Sequence, residues 1–121
     1  MKALSKGKIF LFHWEKAAAT ARAAELASEG WEVAMECEEG SRGCKNLKAF
    51  SPDIVVLDIA RKGVHSRECA RALRNAKSFR ETPFIFVDGS DEDIAKVKAK
   101  VTVPLFTTSG ALKKSLSKYA P

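Results

Sequence analysis

Short apolar runs of four or five residues punctuate the chain, separated by longer stretches in which apolar residues recur every three or four positions. Lys8 to Trp14 is the first run, aromatic and branched, and predicts a strand buried on both faces. Glu15 to Gly30 is rich in Ala, Glu and Leu, with Ala19, Ala23, Leu26 and Ala27 on one side and Gly30 as the stop. It predicts a helix whose small face lies close to a sheet. Trp31 to Glu38 alternates apolar with acidic or small residues, the pattern of an edge strand. A short helix over Arg42 to Phe50 is weakened by Gly43.

Pro52 disfavours helical geometry at Ser51 and makes Ser51-Pro52-Asp53 a turn. Ile54 to Asp58 follows as the strongest strand, apolar until it ends in one acid. A loop over Ile59 to His65 leads to a helix that Ser66 is expected to cap, with Cys69, Ala70, Leu73 and Ala76 inward. Pro83 to Val87 is a fourth strand and again ends in an acid, Asp88. Gly89-Ser90-Asp91 turns into a helix with Ile94, Val97 and Val101 inward. Val103 to Thr107 is a short fifth strand, and Ser109 opens a last helix carrying Leu112, Leu116 and Tyr119. Five strands alternating with helices predict an α/β fold, a doubly wound parallel sheet with helices on both faces. Such sheets bind ligands at the carboxyl ends of their strands. His13, Trp14, Asp58, Asp88, Thr107 and Thr108 are thereby expected along one rim.

The 121 residues suit one domain spanning 1–121, and no apolar run approaches the roughly 20 residues that cross a bilayer. The basic N-terminus, Met1 to Lys8, leads into a strand and not into a signal-peptide core, so a cytoplasmic protein is expected. Cys37, Cys44 and Cys69 are odd in number and lack metal-ligand spacing, which predicts buried, inert thiols. The net charge of +6 is uneven: residues 1–60 hold 8 Lys/Arg against 9 Asp/Glu, and residues 61–121 hold 13 against 6. That asymmetry suits an acidic partner or a nucleic acid. No nucleic-acid motif or aromatic platform accompanies the lysines, so nucleic acid is the weaker reading. No Gly-rich phosphate loop supports an enzyme on this fold.

Several segments resemble the receiver domain of response regulators. Ser51-Pro52-Asp53-Ile54-Val55-Val56-Leu57-Asp58-Ile59 is similar to the family's strand and phospho-accepting aspartate. Arg71-Ala72-Leu73-Arg74 and Thr82-Pro83-Phe84-Ile85-Phe86-Val87 match the following helix and strand. The resemblance runs from Lys8 to Tyr119. It implies a flavodoxin-like three-layer sandwich with strand order 2-1-3-4-5, the second and fifth strands at the edges. It also makes Asp58 the phospho-acceptor candidate.

In that family a magnesium ion held by carboxylates and a lysine ammonium neutralise the phosphoryl oxygens. Here His13 and Trp14 stand where the acidic pair is carried, Asp88 stands where a hydroxyl residue follows the fourth strand, and Thr107 and Thr108 stand at the lysine. Imidazole and indole replace two hard oxygen ligands, so magnesium binding is weakened, with Asp58 and Asp88 the carboxylates left to hold it. Arg61 and Lys62 add cations after Asp58, expected to relieve the two acids.

Each rim residue also has a purely structural role open to it. Asp58 caps the next turn, Asp88 makes a turn with Gly89, His13 is a hydrogen-bonded core histidine, Trp14 plugs the pocket or packs under the first helix, His65 is solvated, and Ser109 caps the last helix. The expected function is a stand-alone pseudo-receiver, a non-enzymatic signalling module contacting another protein through its last two strand–helix units. Lys96, Lys98, Lys100, Lys113, Lys114 and Lys118 fall there. The alternatives are a phospho-accepting regulator using Asp58 with an atypical metal site and, more weakly, a nucleic-acid binder.

Overall fold

The computed structural model describes residues 5–120. Positions 1–4, part of the N-terminal stretch read as no secretion signal, lie outside the described residues. Among the described residues the strands are β1 (Lys8–Phe12), β2 (Glu32–Glu36), β3 (Ile54–Asp58), β4 (Phe84–Val87) and β5 (Leu105–Thr107). The helices between and after them are α1 (Lys16–Ser28), α2 (Gly40–Phe50), α3 (Gly63–Arg74), α4 (Asp91–Lys100) and α5 (Leu112–Ser117). All strand pairs are parallel, in the order β2-β1-β3-β4-β5, as the sequence predicts. No helix among the described residues is long and apolar enough to cross a membrane.

Every residue of β3 is buried because the strand is covered on both faces. The two-residue period sends neighbouring side chains to opposite layers. Phe10, Phe12, Val55, Leu57, Phe84 and Phe86 pack with Leu47, Leu73 and Val97 of α2, α3 and α4. Ile9, Leu11, Ile54, Val56, Ile85 and Val87 pack with Leu26, Leu112 and Leu116 of α1 and α5. The buried phenylalanines Phe10, Phe12, Phe84 and Phe86 each contribute about 1.5–3 kcal/mol of apolar burial. The register aligns Phe12 with Leu57, Asp58 with Val87, and Val87 with Thr107. The chain therefore leaves four adjacent strands at one rim.

Local departures from the sequence reading have physical causes. Ala27 is exposed, while Ala19 and Leu26 carry the inner face of α1. Gly43 has a second role that its helix propensity does not show, letting α2 approach the sheet: a Cβ there would lie 2.5 Å from Phe12 Cε1 and 2.8 Å from Glu36 Cγ. Ser66 is no cap, since α3 begins at Gly63 and Ser66 is fully buried inside it. The fifth strand starts two residues late, because Val103 adopts φ 50° and is 73% exposed and Pro104 donates no hydrogen bond. Thr108, not Ser109, caps the last helical segment by accepting from the Ala111 N–H at 3.2 Å. Cys37 and Cys44 are half-buried, so only Cys69 fits the expectation of a buried thiol.

Candidate functional site

Asp58 ends the central strand and is 2% exposed. Its Oδ1 accepts from the N–H groups of Ala60 (3.1 Å) and Arg61 (3.2 Å), the turn-capping role its position allows. Its Oδ2 faces two nitrogens: His13 Nε2 at 3.5 Å and Arg22 Nη1 at 3.6 Å.

Arg22 comes from α1 and reaches both rim acids. Its Nη2 lies 3.8 Å from Asp88 Oδ2 and donates to Ser109 Oγ at 2.6 Å. The Nη1 group is buried without a hydrogen-bond partner, so its tie to Asp58 is one of charge. Asp88 accepts from the Ser109 N–H at 2.7 Å and from the Ser109 hydroxyl. Burial pushes the Asp88 pKa up, but the two Ser109 hydrogen bonds and the Arg22 charge outweigh it and hold the carboxyl below its ordinary value. Asp88 sits at φ 60°, a left-handed conformation that aspartate tolerates better than most residues.

His13 and Trp14 close the other side. The His13 Nδ1 accepts from the Glu15 N–H at 3.2 Å, which leaves its proton on Nε2 facing Asp58. Burial lowers the His13 pKa, against the opposing pull of Asp58. Trp14 packs toward α3 and not under α1. It stacks on Phe12 at 5.8 Å, meets His65 at 5.3 Å, and its Nε1 donates to Ser66 Oγ at 2.8 Å. Ser66 in turn donates to the Asp58 carbonyl at 2.6 Å. His65 is exposed, yet it lies against Trp14 and within α3.

The remaining rim candidates are engaged elsewhere. The Thr107 hydroxyl pairs with Ser115 at 2.7 Å, and Thr108 caps the turn into α5. Arg61 turns out to Glu15 at 2.8 Å, so the cation that relieves Asp58 and Asp88 comes from α1 and not from the loop after β3. Sequence reading missed Arg22. The available signal was its spacing: it lies three after Ala19 and four before Leu26, a lone cation on the apolar face of a helix. Ser66 was legible the same way, three before Cys69 and seven before Leu73.

A magnesium ion does not suit this donor set. The ion requires near-octahedral oxygen ligation. Here one oxygen of Asp58 is bound by two amides, and a guanidinium faces both acids. Among the described residues no three His, Cys, Asp or Glu side chains converge as metal ligands.

Neither a family model nor a curated relative matches the sequence. The fold, by contrast, matches solved receiver domains. The chemotaxis protein CheY4 of Vibrio cholerae superimposes with a TM-score of 0.80 at 18% identity, covering 97% of this chain and 99% of that one. The receiver domain of a Bermanella marisrubri response regulator gives 0.73 at 22% identity, covering 97% and 99%. The N-terminal receiver domain of Klebsiella pneumoniae RstA gives 0.73 at 23% identity, covering 93% and 97%. Strand order, parallel pairing and these near end-to-end superpositions together give the chain the fold of response regulator receiver domains.

Proposed function

We propose that this chain is a receiver-type signalling module that works through protein contact and whose phosphotransfer site is closed by its own residues. The observation that carries the reading is the position of Arg22, 3.6 Å from Asp58 and 3.8 Å from Asp88. A fixed guanidinium there supplies the countercharge that a metal would bring in a phospho-accepting site. His13 and Trp14, 6% and 7% exposed, fill the space where receiver domains carry their acidic pair. The protein-contact face is that of α4, β5 and α5, where Lys96, Lys98, Lys100, Lys113, Lys114 and Lys118 are exposed. Lys96 pairs with Glu92, and Lys113 bridges Glu25 and Glu29, so part of this charge is already matched within the chain. That interleaving suits an acidic protein surface better than a nucleic-acid backbone, which rewards an unbroken basic track.

One observation favours phospho-acceptance at Asp58 as the second reading. Arg22 brings a cation to the Asp58 carboxylate and could serve a phosphoryl oxygen in place of the missing lysine. Acetyl phosphate with magnesium separates the two readings by intact mass. The expected result is an unmodified chain. A phosphate adduct that disappears in Asp58→Asn overturns the closed-site reading in favour of the second.

A further inference from the structure

On the α2–α3 side of the sheet, two cysteines from different helices line one cleft. Cys44 lies one turn after Gly40 on α2, and Cys69 lies on the inner face of α3. The Cys69 sulfur reaches the backbone of Gly40, with Sγ 3.8 Å from its carbonyl oxygen. A Cβ on Gly40 would stand only 3.0 Å from that sulfur, so glycine leaves the space the thiol occupies. Cys44 and Cys69 pack in the same core cluster at the α2–α3 contact. Both line one cleft with Gly40, His65 and Glu68, in which Cys44 is half-buried and Cys69 buried.

We propose that Cys44 and Cys69 form a reversible disulfide joining α2 to α3, made by reaction with a hydroperoxide. Cys44 is the attacking sulfur. The neighbouring Cys69 thiol and the nearby Lys48 charge draw its pKa down to about 7, against burial. The neighbouring Cys44 and burial push Cys69 up, so it remains the protonated partner. The sulfur with the lower pKa is the better nucleophile near neutral pH, so Cys44 takes the first step, and Cys69 gives up its proton only as it attacks in the second. The Cys44 thiolate attacks the terminal peroxide oxygen, the O–O bond breaks, and an alcohol (water, from hydrogen peroxide) leaves with a proton. Cys44 becomes a sulfenic acid. The Cys69 sulfur then attacks the sulfenic sulfur, the S–O bond breaks, and water leaves with the Cys69 proton. Two thiols are oxidised to one disulfide while the hydroperoxide is reduced to alcohol and water.

The link would tie α2 to the helix whose Ser66 holds both Trp14 and the Asp58 carbonyl. Cys37, in the segment after β2, does not line the cleft and serves as the internal control.

The test is hydrogen peroxide treatment of the reduced full chain, followed by alkylation and peptide mapping without reductant. The expected product links Cys44 to Cys69, leaves Cys37 alkylated, and reverts with dithiothreitol. Cys37→Ser should give the same link. Cys69→Ser should stop at a Cys44 sulfenic acid that dimedone traps, and this arm keeps the proposal testable if the link strains the fold. The proposal is overturned if all three thiols remain alkylatable, if the link involves Cys37 or a second copy, or if dimedone labels Cys37 in preference to Cys44.

Discussion

Arg22→Met removes the guanidinium that faces Asp58 and Asp88 while keeping an unbranched side chain on the Ala19–Leu26 face of α1. The separations of 3.6 Å and 3.8 Å each correspond to about 4–5 kcal/mol of Coulomb attraction at an effective dielectric of about 20. Desolvation of the arginine cancels a large part of this, because its side chain is only 15% exposed. The Asp88 side chain is 34% exposed, so solvent screens its share further. The surplus is a net loss of about 2–3 kcal/mol, since Asp58 is left buried with no cation beside it. For a chain of this size that lowers the melting temperature by about 6–12 °C. The loss should also depend on Asp58: when that acid is already neutral in Asp58→Asn, removing Arg22 should cost about 1–2 kcal/mol less. Urea unfolding of the parent, both single variants and the double variant, followed by Trp14 and Trp31 fluorescence, measures this coupling. The charge-bridge argument fails if Arg22→Met unfolds within about 0.5 kcal/mol of the parent. Strict additivity in the double variant refutes it equally.

Glu36 predicts a stability change confined to acid. Arg42 donates to both of its oxygens at 2.9 Å and 2.8 Å, and with the Glu38 and Glu39 N–H groups this holds its pKa down to about 2, against burial. A folded value below the unfolded one stabilises fully above the ordinary glutamate range and ceases to as pH falls toward 2. Because Arg42 is half exposed, Glu36→Gln should cost about 1–2 kcal/mol near neutral pH, and the difference should vanish at the acid end in melts across that range. A constant difference would count against the pairing. Arg74→Met should be the more damaging core change. Its Nη1 donates to the carbonyls of Phe79, Arg80 and Thr82 at 2.8–2.9 Å, and the guanidinium lies 4.1 Å over Phe84. Loss of about 2–4 kcal/mol is expected, with faster amide exchange in the segment leading into β4; unchanged exchange there would show that Arg74 does not hold this loop.

Much of this protein was legible from the order of its residues. Apolar runs at Ile9–Phe12, Ile54–Leu57 and Phe84–Val87 can be satisfied only by strands covered on two faces, and the helices between them dictate parallel crossovers. The pattern therefore led to the parallel sheet and the rim on which His13, Trp14, Asp58 and Asp88 sit, and the resemblance to receiver domains implied the strand order. Local chemistry also read correctly where the partner is near in sequence, as in the Asp58 turn and the edge character of β2. What required the tertiary structure was every contact between distant segments. Gly43 looks like only a helix weakness until Phe12 and Glu36 are seen against it. Ser66 looks like a cap until Trp14 and the Asp58 carbonyl claim its hydroxyl. Arg22 looks like one more charge on an exposed helix, yet it is the cation of the site. Its partners lie 36 and 66 positions away, and only the packing of α1 across the sheet brings the guanidinium to Asp58 and Asp88. Periodicity reports which face of an element is buried; it does not report which side chain of another element waits there, because that depends on how the layers meet.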